Sequence, residues 1–233
     1  MKKYLAIDQG TTSSRAIIFD STLEPIADSQ EEYSLSYPKD GWVEANPHEI
    51  LNTVNNSIKN VLNKVSENIT SCGITNQRET TIVWSKDTGE PIYPAIIWQD
   101  RRTDDLCKSL KAQGHEEMIK QKTGLVLDPY FSATKIQWIL NNVPNARKRA
   151  ESGELLFGTV DSFLIFNLSK QKNHMTDVTN ASRTMLFNIN NMSWDKDLLD
   201  LFDIPFSMMP EVNSCDGDFG TLNLNDININ GVI

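Results

Sequence analysis

The hydrophobic pattern of this chain changes near residue 46, from short segments to a helical period, and no other feature limits the possible folds as strongly. Before that point there are two short apolar runs, at 3–8 and 16–20, and a more polar segment at 25–35. Short segments of this kind, joined by polar connections, are typical of strands. We therefore predict an antiparallel meander of three strands at the start of the chain.

A helix is predicted directly after the meander. Asn46 is a good N-cap residue, Pro47 suits the first helical position, and Glu49 completes a capping box. From Ile50 to Val65 the apolar residues then recur three and four positions apart, which places them on one face of a helix. The pattern predicts an amphipathic helix over this segment.

Beyond this helix the chain alternates between strand and helix patterns. Strands are predicted at 71–75, 81–84 and 95–98, and helices at 103–113, 134–142, 160–168 and 194–202. The last residues, 218–233, have an extended pattern. No repeat or linker divides the sequence, so we expect residues 1–233 to form one α/β domain. Its mixed sheet would be flanked by helices, with ligands at loops beyond the strand ends.

Composition and charge exclude several classes of function. The 233 residues are 39% hydrophobic, which is enough for a substantial core, and they carry a formal charge of −9 with a pI near 4.8. Such an acidic chain is not expected to bind nucleic acid or an anionic membrane. No apolar run is long enough for membrane insertion. The three cysteines have no paired spacing, so we expect no disulfide framework, no zinc site and a reduced, cytoplasmic protein.

The loop between the first two predicted strands, AIDQGTTSSRA at 6–16, is rich in hydrogen-bond donors. A nucleotide phosphate needs backbone N–H groups in a turn that glycine permits, hydroxyl groups and a cation. Asp8 would repel a phosphate, so we predict that it ligates Mg²⁺ or the water shell of that ion. The predicted phosphate donors are Gly10, Thr11, Thr12, Ser13 and Arg15. An ordinary tight turn uses the same residue types, so the loop alone leaves both interpretations open.

A second polar cluster follows the strand predicted at 71–75. Arg78 and Glu79 would be costly to bury there unless they face a cleft. Together they suit a polyol, because the guanidinium donates to hydroxyls and the carboxylate accepts from them. Trp98 and Tyr130 could add an apolar wall and a hydroxyl partner. A surface salt bridge and core packing are the alternative interpretations of these residues.

The segment YFSATKIQWILNN at 130–142 resembles, position for position, the N-terminal signature of the FGGY carbohydrate kinases. Ser132, Lys135 and Trp138 stand at the positions that the signature specifies. Seven further segments resemble the members of the family that act on glycerol. They are DQGTTSSR, GWVE, GITNQRET, IIWQDRR, TGLVLDPYFS, GELLFGTVDSFLIF and TNASRTMLFNI. Glycerol is therefore the first substrate that the resemblance implies, with another small polyol or a ketose as the alternative.

The resemblance covers residues 4–212 and implies a ribonuclease-H-like fold of the actin-like ATPase type. ATP and glycerol would bind between two lobes, of which residues 1–233 would be the first, and the full-length protein would be a homo-oligomer. By position, the nucleotide contacts would be Thr11, Thr12, Ser13 and Arg15, with Asp8 supporting Mg²⁺. The glycerol pocket would be lined by Arg78, Glu79, Trp98 and Tyr130.

The general base is not expected within this chain. In the family it is the aspartate of a GDQ triplet, which the resemblance places beyond Ile233. Asp100, Asp104 and Asp177 do not stand in that motif. We therefore expect residues 1–233 to phosphorylate no substrate alone. A non-catalytic binding module that keeps half of a site is the alternative from another class of function.

Overall fold

The computed structural model describes residues 2–66 and 68–233. In these residues the strands are β1 (Tyr4–Gln9), β2 (Ser13–Phe19), β3 (Pro25–Glu32), β4 (Leu35–Ser36), β5 (Glu44–Ala45), β6 (Ser71–Asn76), β7 (Ile82–Ser85), β8 (Ala95–Ile96), β9 (Leu155–Gly158), β10 (Met175–Asp177), β11 (Phe187–Asn188), β12 (Ser193–Trp194), β13 (Glu211–Asn213) and β14 (Ile229–Val232). The helices are α1 (Pro47–Leu62), α2 (Asp104–Ala112), α3 (Glu116–Thr123), α4 (Ser132–Asn142), α5 (Ala146–Glu151), α6 (Val160–Leu168), α7 (Val178–Ala181) and α8 (Lys196–Leu201).

The main sheet has five strands in the order β14-β6-β1-β2-β3. Strands β1, β2 and β3 form the predicted antiparallel meander, while β6 is parallel to β1 and β14 is parallel to β6. The sheet is therefore mixed, as the sequence predicts. Its register places Asp8 of β1 directly between Arg15 of β2 and Thr75 of β6.

Helix α1 begins at the predicted cap and covers one face of the meander. The Asn46 side chain accepts a hydrogen bond from the His48 N–H at 3.0 Å. The predicted partner in the cap, Glu49, instead donates its N–H to the Asn46 carbonyl. Ile50 and Ile58 are fully buried on the apolar face. The helix ends at Leu62, short of the predicted end at residue 65.

Strand β7 lies between two hydrophobic clusters. Ile82 and Trp84 pack into the cluster formed by the main sheet, α1 and α6. Val83 points the other way, into a cluster formed with α2, α3, α4, α5 and α8. Side chains alternate across a strand, so a run that is apolar at every position is buried on both faces.

Three of the later predicted helices, at 103–113, 134–142 and 160–168, are confirmed as α2, α4 and α6. The helix predicted at 194–202 is shorter, because Trp194 belongs to β12 and the Asp195 side chain caps α8. Helices α3 and α5 and strand β9 were not predicted. None of the described helices is long and apolar enough to cross a membrane.

The final segment was predicted to be extended throughout, and the structure corrects this. Between residues 218 and 233 it contains one strand, β14. Asn225 and Asp226 have positive φ angles and form a turn that brings Thr221 opposite Asn228. Asparagine and aspartate tolerate this left-handed conformation, which explains why a segment rich in them reverses direction.

Candidate functional site

A polar cleft of about 310 Å³ lies at the carboxyl ends of β1 and β6. Parallel strands that end at the same edge of a sheet bring their following loops together, and ligands bind there in open α/β sheets. The lining residues are Asp8, Gln9, Gly10, Thr11, Asn76, Gln77, Arg78, Glu79, Trp98, Tyr130 and Arg183. Seven of the ten residues predicted from the sequence as site residues are therefore in one cleft.

One side of the cleft is the opening turn, which we define as Gly10–Thr12. The Gly10 N–H donates to the Ser13 carbonyl at 2.8 Å and closes the turn. The Thr11 hydroxyl accepts from the Trp98 indole N–H at 3.0 Å. Within residues 2–66 and 68–233, the backbone N–H groups of Thr11 and Thr12 donate to no protein acceptor. Unpartnered amides in a glycine turn are donors available to an anion.

The other predicted phosphate contacts lie outside the cleft. Thr12 is exposed, and the Ser13 hydroxyl accepts from the Gln30 side chain at 3.0 Å. Arg15 pairs with Asp28 at 3.1 Å, and both side chains are about half exposed. Ser13 and Arg15 lie two positions apart in β2, so the pleat of the strand places both side chains on one face, away from the cleft lining, and Thr12 directly precedes the strand.

Asp8 is exposed at the end of β1 and lines the cleft beside the turn. The described residues contain no group of three or more carboxylate, imidazole or thiolate side chains that could hold a metal ion by themselves. Nucleotide-bound Mg²⁺ does not need such a cage, because one or two carboxylates, waters and the phosphates complete its coordination. A single accessible carboxylate next to a phosphate-binding turn therefore fits this ion.

The opposite side of the cleft is the side-chain wall, which we define as Arg78, Glu79, Trp98 and Tyr130. Glu79 is only 5% exposed, and its Oε1 accepts from the Arg183 Nε at 2.7 Å. Arg78 is exposed and makes no ion pair with a described residue. The surface salt bridge considered between these neighbours is not formed, since the partner of Glu79 is Arg183.

Two rings form the apolar part of the wall. The ring centroids of Trp98 and Tyr130 are 5.5 Å apart in an edge-to-face arrangement. Burial raises the pKa of the Tyr130 hydroxyl above its usual value, and the nearby Glu79 charge adds to this effect. The hydroxyl therefore stays protonated and can donate a hydrogen bond.

Lys135 supports the wall from behind. It is fully buried on α4, and its Nζ donates to the Tyr130 carbonyl at 2.7 Å and the Glu79 carbonyl at 3.1 Å. Burial lowers the pKa of this ammonium to about 7, against the opposing effect of the Asp100, Glu79 and Asp128 charges. The sequence shows Lys135 only as a position in the signature, with no indication of these contacts.

Sequence reasoning missed four residues of the cleft, Gln9, Asn76, Gln77 and Arg183, and the charged one among them is Arg183. It follows α7, whose cap residue Asp177 accepts from the backbone and side-chain amides of Asn180. Asn180 in turn accepts from the Asn76 side chain at 3.0 Å, which ties α7 to the end of β6. The available signal was the segment TNASRTMLFNI, which carries Arg183.

Asp100 is part of a buried ion cluster with Arg102. Its carboxylate accepts from the Val43 N–H at 2.6 Å and from Arg102. The Arg102 guanidinium lies 3.8 Å from the Trp42 ring centroid and 4.6 Å from that of Trp138. Asp100 does not line the cleft, so its charge serves the packing of this cluster.

The sequence of this chain is similar to those of known proteins. Residues 3–232 match the model of the FGGY family of carbohydrate kinases, N-terminal domain. The chain is 56% identical over 223 residues to the glycerol kinase of Shewanella pealeana, covering 94% of this chain and 45% of the relative. It is 57% identical over 224 residues to the glycerol kinase of Ectopseudomonas mendocina, with 94% and 45% covered.

Solved structures show the same fold. The glycerol kinase of Plasmodium falciparum with ADP superposes with a TM-score of 0.93 at 37% identity, over 100% of this chain and 48% of that one. A gluconate kinase of Lactobacillus acidophilus has a TM-score of 0.90 at 22% identity, over 99% and 48%. The actin-like ATPase fold is thereby confirmed. The chain spans about 45% of the length of the curated relatives, and it belongs to the FGGY family of carbohydrate kinases, whose N-terminal domain it matches.

Proposed function

We propose that this chain provides the glycerol pocket and the phosphate turn of a kinase that transfers the γ-phosphoryl group of ATP to glycerol. The observation that carries the proposal is the cleft itself, because the side-chain wall lines the same 310 Å³ as Thr11, whose backbone N–H has no protein acceptor among the described residues. Phosphoryl transfer depends mostly on holding the acceptor alcohol next to the phosphoryl group and on neutralising charge.

The side-chain wall would bind the alcohol. The Arg78 guanidinium, which forms no ion pair with a described residue, donates to one hydroxyl, and Glu79, held by Arg183, accepts from a neighbouring one. Tyr130 donates from its protonated hydroxyl, while the Trp98 ring covers the carbon chain. A pocket that pairs every hydroxyl discriminates strongly against alcohols that lack one.

The opening turn would bind the nucleotide. Thr11 faces the cleft and contacts the terminal phosphate, and Thr12, Ser13 and Arg15 contact parts of the phosphate chain outside it. Asp8 would hold Mg²⁺ through its water shell, and that ion would supply neutralisation of the phosphate charge. ADP would leave from the same contacts. The full-length protein would be cytoplasmic and homo-oligomeric.

Residues 1–233 would act as one lobe, with the general base outside them. We therefore expect no glycerol-dependent ADP release from residues 1–233 alone, since acid–base catalysis contributes roughly 10² to 10⁴ to the rate. Robust turnover by this chain alone would contradict the placement of the base. The measurement is a coupled ADP-release assay on the purified chain.

The substrate is tested with the product of the complete gene. We expect kcat/KM for glycerol to exceed that for xylulose, ribulose and gluconate by about 10² or more, because unmatched polar groups in a hydroxyl-pairing pocket are costly. A higher kcat/KM for one of the other three compounds would show that this compound, and not glycerol, is the substrate. Absence of turnover with all four, together with measurable MgATP binding, would favour the binding module.

A further inference from the structure

A buried cluster of hydrogen bonds lies beneath the cleft and holds the carbonyl oxygen of Gly10. Gln9 Nε2 and the Tyr33 hydroxyl each donate to this oxygen at 2.7 Å. Gln77 Nε2 lies 3.4 Å from the same oxygen, and it donates to Tyr33 Oη at 2.9 Å and Gln9 Oε1 at 3.2 Å. Three side chains from β1, from the segment after β3 and from the end of β6 therefore converge on one peptide group.

This arrangement sets the direction of the next amide. In a trans peptide the C=O and the following N–H point in opposite directions. Because the Gly10 carbonyl points into the buried cluster, the Thr11 N–H points outwards, and Thr11 lines the cleft. The cluster thus orients one of the unpartnered donors of the opening turn.

Gln77 is also connected to the side-chain wall, through its Oε1 atom and Thr80. Its Oε1 accepts from the Thr80 hydroxyl at 2.8 Å, and the Thr80 oxygen accepts from the Trp98 backbone N–H at 3.3 Å. The Trp98 indole N–H then donates to the Thr11 hydroxyl at 3.0 Å. These contacts form a closed ring. It runs from Gln77 to the Gly10 carbonyl, along the backbone to Thr11, from Thr11 to Trp98, and through Thr80 back to Gln77.

We propose that Gln77 and Thr80 are positioning residues that couple nucleotide binding at the opening turn to polyol binding at the side-chain wall. The inference rests on the proposed function and names a property of the same site. Both side chains are buried, and hydrogen bonds in a low-dielectric network reinforce one another. A phosphate that accepts a hydrogen bond from Thr11 therefore fixes the position of Trp98 and strengthens polyol binding. By thermodynamic linkage, a bound polyol strengthens nucleotide binding by the same factor.

Two adjacent threonines provide a matched pair of variants. Thr80 and Thr81 are both fully buried, but the Thr81 hydroxyl has no hydrogen-bond partner among the described residues. Thr80→Val removes two contacts of the ring, whereas Thr81→Val makes the same change in shape and removes none. Gln77→Met removes both the contact with the Gly10 carbonyl and the contact with Thr80, and it serves as the second test variant.

The first measurement is the coupling factor of the product of the complete gene. It is the KM for glycerol at low MgATP divided by the KM at saturating MgATP. We expect about fivefold or more in the wild type and in Thr81→Val, and less than about twofold in Thr80→Val and Gln77→Met. A wild-type factor of one, or an unchanged factor in Thr80→Val with only a lower Tm, would overturn the inference.

The second measurement does not depend on glycerol. The protein is labelled with 5-fluorotryptophan, the Trp98 ¹⁹F resonance is assigned with Trp98→Phe, and MgATP alone is added. We expect a shift in the wild type and Thr81→Val, reduced at least about twofold in Thr80→Val. This result supports the inference even if glycerol is not phosphorylated. Normal glycerol phosphorylation with an unshifted resonance, or no MgATP binding at all, would overturn it.

Discussion

The opening turn and its neighbours come from one stretch of chain, residues 8–15, whereas the side-chain wall is assembled from separate segments around residues 78, 98 and 130, with Arg183 as the partner of Glu79. A contiguous motif can be recognised from its letters, because glycine and hydroxyl residues in sequence predict a turn with free donors. A wall built from distant segments depends on long-range packing. The two halves of one cleft therefore differ in how much of their geometry is local, and four changes test this difference.

The largest effect is expected from Arg183→Met. It leaves the Glu79 carboxylate almost buried without its partner, and a buried charge that loses its partner is strongly destabilising. We expect kcat/KM for glycerol to fall by about 100-fold, while the KM for ATP changes by less than about threefold. Steady-state kinetics of the product of the complete gene measure both values.

The matched control for this change is the double variant Arg183→Met with Glu79→Gln, which removes the orphaned charge. Its Tm is expected to recover towards the wild-type value, while glycerol binding stays weak. A single variant with wild-type glycerol kinetics would show that Arg183 is not needed by the wall.

Arg78→Ala ranks second. The exposed guanidinium has no ion-pair partner among the described residues, so its removal costs little stability. Loss of a charged hydrogen bond to the alcohol is expected to raise the KM for glycerol by about 10- to 100-fold and to lower kcat. The thermal unfolding midpoint should stay within about 1 °C. Unchanged glycerol kinetics would remove Arg78 from the pocket.

The third change tests how the free energy of unfolding depends on pH through Lys135. Its pKa is about 7 in the folded chain and 10.5 when unperturbed, so between these values the unfolded chain binds the extra proton. The contribution of Lys135 to the free energy of unfolding therefore rises with pH from about 7 to 10.5. Urea unfolding of the wild type and Lys135→Met at several pH values measures it as a difference. A constant difference across this range would contradict the lowered pKa.

The smallest effect is expected from Thr12→Val, which deletes one exposed hydroxyl of the opening turn. We expect the KM for ATP to rise by about two- to tenfold, with no change in the KM for glycerol at saturating ATP. Thr12→Ser, which keeps the hydroxyl, should retain wild-type kinetics. An unaffected KM for ATP in the valine variant would return Thr12 to the role of an ordinary turn residue.

Much of the local structure could be predicted from the sequence. The meander, the capped helix α1 and helices α2, α4 and α6 follow from patterns within a few residues. The misses have identifiable causes. Helix α8 is shorter than predicted because Trp194 pairs in β12, and the final segment turns at Asn225, which depends on tertiary contacts and on a positive φ.

The candidate site divides in the same way. The sequence by itself determined the donor-rich loop at 6–16, the polar residues Arg78 and Glu79, and the family resemblance, because each is a property of neighbouring letters. Only the tertiary structure decided that Glu79 pairs with Arg183, 104 positions away, and that Gln77 contacts the Gly10 carbonyl. The physical reason is that the pleat of β2 and the packing of α4 and α7 choose which side chains meet, and such contacts between distant segments leave no period in the sequence.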